Sequence, residues 1–463
     1  DLVVGAIATS VWRDLRDAEL ARRLNRHAES VGADVVLWWG RKTYRWMASV
    51  AATQVAGEPA AILRAQRSSA RYFQRPDRAH GGNGLFSDAY DTTATALRGY
   101  GLYTRLSKEA GDWLWEASLN VRSPGFEAND LAAQPRADFL WMNANLARRF
   151  TRPTAWYRSL DLLAGAERQY NYDGDHTYGD LHVGFRTELP NYWRALFLGA
   201  LSDEAEDDRL TRGGPVVLRA ARRDLFLSLS TDARRAVVVS LNPRYGRSAE
   251  GAQSFRMLIE VRIRPAPNVE ARLGPSYERS QSTAQYVAAW DDPTATHFYG
   301  RRYLFADLDQ RTFSLDTRLS LTVNPTLTLD VYAQPFIGTA RFSHYKEFAA
   351  PRTLEKRVYG RNLGTVRSEM GPGGRSWTVD PDGDGPARPY TFPDPDFNFR
   401  SLRGTAVLRW EWRPGSTLYL VWTQTRAATA PLGDLRLGRD LDALFGARPD
   451  NVFLLKATYW LGL

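Results

Sequence analysis

The chain has 463 residues, a net charge of +9 and no cysteine, and 43% of its residues are hydrophobic. It contains no apolar run of about 18 residues, which excludes a membrane-spanning helix. A membrane-spanning β-barrel is compatible with its mean hydropathy of −0.43, because barrel strands alternate apolar and polar residues. The lack of cysteine excludes disulfides and thiolate metal sites.

Helical periodicity is confined to two segments, Asp14–Ser30 and Glu58–Gln66, which we interpret as short helices within connections. The rest of the chain alternates apolar and polar residues, which is the period of a β-strand. In Phe255–Arg264 the odd positions are apolar and most even positions are charged, and Phe313–Thr322 and Thr405–Arg413 repeat the scheme. The chain is therefore predicted to be all-β.

The lengths of the strands and connections favour a membrane barrel over a soluble sandwich. The alternating segments extend over about 10–14 residues, whereas strands of soluble domains average about 5–6 and a membrane-spanning strand needs about 9–11. Short turns alternate with long connections, which is typical of outer-membrane barrels. Short turns are predicted at 40–42, 109–112, 151–153, 189–191, 231–235, 265–268, 291–296, 324–325 and 414–416. Long connections are predicted at 14–32, 56–91, 123–135, 170–176, 203–214, 244–252, 274–281, 306–311, 342–398 and 426–450.

The predicted fold is one domain over residues 1–463, a transmembrane antiparallel up-and-down β-barrel. It has about 20 strands, within a range of about 18–22, with short periplasmic turns and long extracellular loops. Residues 342–398 are predicted to form the longest loop, which is either extracellular or folded into the lumen. The segment 281–292 carries the weakest strand pattern.

Aromatic residues, 12% of the chain, are concentrated near the predicted strand ends. Indole and phenol rings favour the membrane interface, where the ring contacts lipid and its polar tip contacts water. The alternative is that they form the core of a sandwich. The residues assigned to the interface are Trp38, Trp39, Trp113, Trp115, Trp410, Trp412, Trp422, Tyr459 and Trp460.

Charged residues in mid-strand are predicted to face the barrel lumen. They can pair across strands and brace the barrel, or they can form an arginine-biased pore that favours anionic solutes or acidic sugars. The charges are of both signs and spread over many strands, which disfavours nucleic acid as a partner. The predicted lumen residues are Arg222, Arg256, Glu260, Arg262, Arg264, Glu270, Asp316, Arg318, Asp330, Arg409 and Glu411.

Two segments of the predicted loops could carry chemistry. Asp380, Asp382 and Asp384 follow the D-x-D-x-D-G spacing of a calcium loop, in which alternate carboxylates converge on one cation. The twelfth position is Thr391 rather than glutamate, so an EF-hand is excluded, and a plain acidic turn is the alternative.

A hydrolase would need a histidine paired with an acidic or nucleophilic side chain. His80, Asp77 and Asp88 share one predicted loop and are the residues that could supply such a pair. Loops rich in Asp, His and Gly are common without catalysis. The chain is therefore expected not to be an enzyme.

Several longer motifs resemble a bacterial family of uncharacterised outer-membrane β-barrels. They include Tyr72-Phe-Gln-Arg-Pro-Asp77, Ser123-Pro-Gly-Phe-Glu-Ala-Asn-Asp130, Tyr332-Ala-Gln-Pro-Phe336, Asp396-Phe-Asn-Phe-Arg-Ser-Leu-Arg403 and the stretch 407–424. In that family the barrel usually follows a periplasmic domain that resembles family-9 carbohydrate-binding modules. The resemblance implies a Gram-negative outer-membrane location and a link to carbohydrate.

The predicted function is a channel or receptor for a solute, with carbohydrate as the favoured class. The alternative is a non-conducting structural or assembly barrel that anchors a periplasmic module or partner complex, and the third is a barrel hydrolase. No cofactor is expected to be required, although Ca²⁺ is a candidate. The expected partners are membrane lipid, lipopolysaccharide and a periplasmic domain or protein.

Overall fold

The computed structural model describes residues 1–78, 84–130 and 133–461, and its regular structure is almost entirely antiparallel strand. The helices are α1 (Ala18–Arg23), α2 (Pro59–Gln66) and α3 (Leu437–Gly446), and Thr296–Phe298 form a 3-10 helix. The strands are β1 (Leu2–Trp12), β2 (His27–Trp39), β3 (Tyr44–Ala56), β4 (Ala96–Lys108), β5 (Trp113–Arg122), β6 (Phe139–Phe150), β7 (Ser159–Tyr170), β8 (His176–Glu188), β9 (Arg194–Ser202), β10 (Ala205–Asp207), β11 (Val217–Arg219), β12 (Arg222–Ser230), β13 (Val237–Ser248), β14 (Gln253–Ala266), β15 (Val269–Asp291), β16 (Arg301–Asn324), β17 (Leu327–Phe348), β18 (Lys356–Val358), β19 (Thr365–Gly371), β20 (Gly374–Asp380), β21 (Tyr390–Pro393), β22 (Phe397–Arg413), β23 (Ser416–Ala430) and β24 (Asp450–Thr458).

Most strands belong to one 19-stranded sheet. Its meander consists of eighteen strands, β1–β9, β12–β17 and β22–β24, each paired antiparallel with the next in this order. The nineteenth strand, β18, pairs with the end of β17. Within the described residues β1 pairs with β2 alone and β24 with β23 alone. The all-β, antiparallel prediction is confirmed.

The eighteen strands of the meander lie within the predicted range of 18–22, and the long hairpin of β15 and β16 accounts for the difference from about 20. These two strands have 23 and 24 residues, so the long connections predicted at 274–281 and 306–311 are wrong. The turn predicted at 291–296 on the short-turn side instead lies at the opposite end, within the tip of this hairpin. The sequence misleads here because Gly274 and Pro275 and the polar residues after them interrupt the apolar pattern. Register shifts in the pairing accommodate the irregularity further along the hairpin.

Two other segments differ in extent from the prediction. The longest connection is 349–396 rather than 342–398, because β17 and β22 extend into the predicted loop at either end. It contains β18 and a separate three-stranded sheet, β19–β21. In the predicted helix Asp14–Ser30 only α1 is helical, because β2 already begins at His27. The helix predicted at Glu58–Gln66 is confirmed, with Glu58 as the residue before its first turn.

The pairing register separates the side chains of the meander into two faces. On β13 and β14, Leu241 lies opposite Ile259 and Val239 opposite Val261. We call the side with these residues the apolar face, and the side with Glu260 the polar face. The same separation continues from strand to strand across the meander, because neighbouring residues in register share a face.

The apolar face is exposed over its whole width. Val4 on β1, Leu181 on β8 and Leu455 on β24 are 68%, 59% and 68% exposed, respectively. Soluble monomers rarely expose a contiguous apolar patch larger than about 300–600 Å². No helix among the described residues is long and apolar enough to cross a membrane. Bulk water is therefore an unfavourable environment for this face of the sheet.

The buried apolar clusters lie at one end of the meander, opposite the short turns. One consists of Ala28, Val55, Ile62, Phe73 and Leu97, and it packs the connection 57–95 against β2, β3 and β4. Two others lie on the long β15–β16 hairpin and join it to the connections 203–221 and 349–396. The long connections therefore fold into packed structure at this end.

One close backbone approach fixes the connection 123–138 against β4. A Cβ atom on Gly99 would lie 2.0 Å from the nitrogen of Phe126. We predict that Gly99→Ala displaces this connection and costs about 1–3 kcal/mol, the range for overpacking. Thermal unfolding in detergent measures the loss. Gly438→Ala is the matched control, because no atom lies within 4 Å of its Cβ position. Equal stability of the two variants would contradict the prediction.

Candidate functional site

Three arginines of the connection 57–95 are buried. The side chains of Arg71, Arg75 and Arg78 are 0%, 1% and 5% exposed, respectively. Ile62 and Phe73 anchor the connection on the sheet and so fix the segment that carries these arginines. Because an unpaired buried cation is strongly destabilising, each arginine needs carboxylate partners.

Arg75 is surrounded by four carboxylates. Its guanidinium lies 2.8 Å from Asp173, 3.4 Å from Asp77, 3.5 Å from Asp175 and 3.6 Å from Asp208. These aspartates come from three different connections. The ion pairs therefore hold separate parts of the chain around one side chain.

Arg71 and Arg78 have carboxylate partners on either side of this centre. Arg71 lies 2.6 Å from Glu127 and donates to the carbonyl oxygen of Phe126 at 3.0 Å. Arg78 lies 3.1 Å from Asp88 and 3.4 Å from Asp138. Both arginines therefore extend the ion-pair network.

Two further arginines complete the network. Arg136 lies 2.7 Å from Asp208, and Arg352 lies 2.7 Å from Asp175 and 3.2 Å from Glu206. We call this set the mouth cluster. It consists of Arg71, Arg75, Asp77, Arg78, Asp88, Glu127, Arg136, Asp138, Asp173, Asp175, Glu206, Asp208 and Arg352.

The mouth cluster joins five connections, 57–95, 123–138, 171–175, 203–221 and 349–396. All five lie at the same end of the meander, because each follows a strand that runs away from a short turn. Ion pairs shared by several segments restrain them more than isolated pairs do, since each ordered side chain serves more than one contact. The cluster therefore ties the long connections to one another.

The mouth cluster brings together two of the motifs that carry the family resemblance. Tyr72–Asp77 supplies Arg75 and Asp77, and Ser123–Asp130 supplies Glu127. The sequence gives no sign that the two motifs meet, because they are separated by β4 and β5. A buried arginine in a loop would have been the signal, but burial in a connection has no periodicity to reveal it.

Burial changes the ionisation of the mouth cluster in opposite directions. It lowers the pKa of Arg71, and it raises the pKa of Asp138 although Arg78 is near. For Asp175, burial alone would raise the pKa. Hydrogen bonds from Asn171 and Arg352 outweigh burial, so the pKa is lowered. The surroundings of Asp175 therefore favour its charged form, whereas burial makes the charged form of Asp138 less favourable than in water.

All the charged residues that the sequence assigns to the lumen lie on the polar face. Arg262 and Arg318, for example, lie opposite Arg272 on the two neighbouring strands. Asp330 lies opposite Ser320 and accepts its hydroxyl hydrogen bond at 2.7 Å. That this face surrounds a lumen stays a prediction.

The polar face contains both braced and unpaired charges. Glu270 pairs with Arg264, and Arg409 lies 3.1 Å from Glu411. Arg256 and Arg318 form no ion pair with any residue that the structure describes. Cross-strand bracing therefore accounts for some of these charges and leaves free cations on the same face.

The aromatic residues assigned to the membrane interface lie on the apolar face or beyond the end of β24, with one exception. Trp39 stacks on Tyr44 at 5.6 Å and Trp412 packs on Tyr459 at 5.6 Å, both beside short turns. Trp38 is the exception, because it lies opposite Arg45 on the polar face and the Arg45 guanidinium covers its ring at 5.3 Å. Trp38 therefore does not share the apolar face with the other aromatic residues assigned to the interface.

The predicted calcium residues lie in the turn between β20 and β21. Asp380 accepts the backbone N–H of Gly383 at 3.0 Å, and Asp382 accepts that of Ala387 at 2.9 Å. Within the described parts of the chain, no three acidic or histidine side chains are grouped to hold a metal ion. The contacts of Asp380 and Asp382 are those of an acidic turn, and calcium stays a prediction.

The two aspartates named for hydrolysis each have other partners. Asp77 accepts the backbone N–H of Val216 at 2.7 Å, and Asp88 pairs with Arg78. His80 lies outside the described residues, so no pairing with it is tested. Both aspartates belong to the mouth cluster.

Comparisons with known proteins identify a family and distant similarities in fold. The family described as Domain of unknown function (DUF5916) matches residues 77–463, and no curated protein matches the chain. A siderophore receptor, PirA of Acinetobacter baumannii, is 9% identical over 98% of this chain and 73% of its own, with a TM-score of 0.44. A ferric enterobactin receptor (PfeA) mutant of Pseudomonas aeruginosa is 10% identical over 99% and 72%, also at 0.44.

The pKa values of two buried aspartates, Asp175 and Asp138, are shifted in opposite directions. Replacing each with uncharged asparagine should therefore lower the free energy of unfolding by different amounts. Asp175→Asn should cost about 3–5 kcal/mol at neutral pH, because it breaks a charged buried pair. That contribution is present above the unfolded pKa of 3.8 and is lost as the pH falls, so the deficit should shrink in acid.

Asp138→Asn should cost less, because burial raises the pKa of Asp138 and so makes its charged form less favourable, and because asparagine tolerates the left-handed backbone at this position (φ 58°). Unfolding in detergent, followed against pH for both variants, compares the costs. A loss of stability for Asp138→Asn equal to or larger than that for Asp175→Asn would contradict the opposite pKa directions of the two carboxyl groups.

Proposed function

We propose that this chain, which belongs to the DUF5916 family, is an outer-membrane β-barrel that takes up a solute through its lumen. The observation that carries the proposal is the exposed apolar face across eighteen paired strands. Lipid hydrocarbon is the surroundings in which such a face is stable, and paired strands satisfy the backbone hydrogen bonds there.

Closure of the barrel is part of this proposal. With an even number of strands in the meander, β1 and β24 run antiparallel, as direct pairing requires. Their free edges carry unpaired backbone N–H and C=O groups, and in hydrocarbon each would cost several kcal/mol. Val4 and Leu455 lie on the apolar face at these two edges. We infer that β1 pairs with β24 in the membrane.

The two ends of the meander differ, which supports an orientation. Outer-membrane barrels place short turns in the periplasm and long loops outside the cell. Under that rule the mouth cluster lies on the extracellular side. The polar face would then line a lumen whose outer entrance is covered by the connections that the mouth cluster joins.

This arrangement favours a gated channel or receptor over an open pore. Free arginines on the polar face suit anionic solutes, and the tied connections restrict entry from outside. The runner-up function is a non-conducting structural barrel. The same ion pairs favour it, because a cluster that joins five connections could also close the outer mouth permanently.

The remaining expectations from the sequence stay proposals. They are the absence of catalysis and of a required cofactor, contacts with lipid and lipopolysaccharide, a carbohydrate solute, a periplasmic module or partner, and no nucleic acid. Exposed arginines of the outer connections would meet lipopolysaccharide phosphates through charge-assisted hydrogen bonds.

Closure is testable by disulfide trapping, because the chain has no cysteine of its own. Val4→Cys is combined in turn with Phe453→Cys, Leu455→Cys and Ala457→Cys, all on the apolar face at the two edges. We predict that one combination forms an intramolecular disulfide on oxidation, seen as a mobility shift that reductant reverses. Val4→Cys with Leu201→Cys on β9 is the distant control. Failure of all three edge pairs would contradict direct closure.

Single-channel recordings in planar bilayers distinguish uptake from anchoring. We predict brief, infrequent openings for the wild-type protein and a several-fold higher open probability for Arg75→Gln, which removes the central cation of the mouth cluster. Arg16→Gln is the matched control, because the Arg16 side chain is 89% exposed and its pair with Asp14 contributes little. No conductance in either wild type or Arg75→Gln would favour the structural barrel.

A further inference from the structure

A cavity of about 490 Å³ lies beside the mouth cluster, at the end of the meander opposite the short turns. It lies where the connections 57–95 and 203–221 meet the tip of the β15–β16 hairpin. Its size is within the range of about 300–1,000 Å³ that is usual for small-molecule sites. Gln74 and Pro76, which flank Arg75 in the chain, are among its lining residues.

Three exposed arginines, Arg67, Arg212 and Arg301, line this cavity. Arg301 pairs with Asp291 at 3.1 Å. Arg67 donates to the hydroxyl of Tyr90 at 2.7 Å, and neither Arg67 nor Arg212 pairs with a carboxylate of any described residue. In the mouth cluster, by contrast, every arginine has a carboxylate partner. The cavity therefore presents cationic groups that a ligand anion could pair with.

Aromatic rings form much of the remaining wall. Tyr286, Phe298, Tyr299 and Tyr303 all line the cavity, and the Arg212 guanidinium lies 4.3 Å from the centre of the Tyr286 ring. Such rings provide flat apolar surface for a ring-shaped ligand and hydroxyl groups for hydrogen bonds. They distinguish the cavity from a site for a simple inorganic anion.

We propose that this cavity binds an acidic sugar, a hydroxylated ring that carries a carboxylate or phosphate. The anionic group pairs with Arg67 and Arg212, the ring lies against the tyrosines, and the tyrosine hydroxyls form hydrogen bonds with those of the sugar. The role of this cavity as the entry site for uptake rests on the proposed function. Binding to the purified protein does not depend on conductance, so the two can fail separately.

The test is calorimetric titration of the full chain in detergent with glucuronate and with glucose 6-phosphate. Glucose, which lacks the charge, and inorganic phosphate, which lacks the ring, are the comparators. We expect at least one acidic sugar to bind, and both comparators to bind about tenfold or more weakly, a difference of about 1.4 kcal/mol. Preference for the carboxylate or for the phosphate sugar identifies the anionic group. Absence of binding by both acidic sugars at 10 mM, roughly the weak limit for a specific site, or equal binding of glucose, would overturn the proposal.

Variants assign the binding to this cavity. Arg212→Gln and Arg67→Gln each should weaken acidic-sugar binding about tenfold, because each removes one charged contact. Arg361→Gln, an exposed arginine of the connection 349–396, is the matched control and should bind as the wild type does. Unchanged thermal unfolding shows that a variant is folded. Full affinity in the double variant Arg67→Gln/Arg212→Gln would also overturn the proposal.

Discussion

Backbone hydrogen bonding within an apolar environment is the constraint on which the rest of this structure depends. A strand that meets hydrocarbon must pair along both edges, and its side chains must alternate between two different surroundings. The meander meets the first condition from β2 to β23, and the two faces meet the second. Among the described residues, β1 and β24 are the strands of the meander that have a partner strand on one side alone, which is why their direct pairing is part of the proposed function.

The end of the meander opposite the short turns follows a different rule, because there the connections must become ordered without a strand register. They do so through small apolar clusters and through buried ion pairs around Arg75. Buried pairs add little net stability compared with apolar packing, but the loss of one partner is costly. Such a network therefore favours one arrangement of the connections, and the neighbouring cavity, with unpaired arginines, is the place where a ligand can change the charge balance.

Period-two alternation made the fold class predictable, since the five apolar residues at odd positions from Phe255 to Ile263 of β14 all lie on the apolar face. The prediction failed where the pattern was interrupted. Gly274 and Pro275 resemble a loop, but β15 continues through them and further on as part of a long hairpin whose register shifts. Trp38 and Trp39 lie on opposite faces because adjacent residues of a strand alternate, and Arg45 covers the ring of Trp38 on the polar face.

The candidate site was much less predictable than the fold. Arg71 and Glu127 are separated by two strands and a turn, and no local pattern indicates that they form a buried pair. The cavity likewise depends on residues from three connections that only the folded chain brings together. The polar face, in contrast, was predictable from the alternation of charged and apolar residues. The face of a side chain in a strand depends only on its position relative to its neighbours in the chain.

The central claim is that one face of the sheet meets lipid and the other meets water. Single cysteines at each position from Phe255 to Ile263 test it most directly in reconstituted vesicles, because the chain has no native cysteine. A water-soluble thiol reagent should label the even positions, and a lipid-dissolved reagent the odd positions, which carry the apolar residues of β14. Uniform labelling by the water-soluble reagent at odd and even positions would contradict the account.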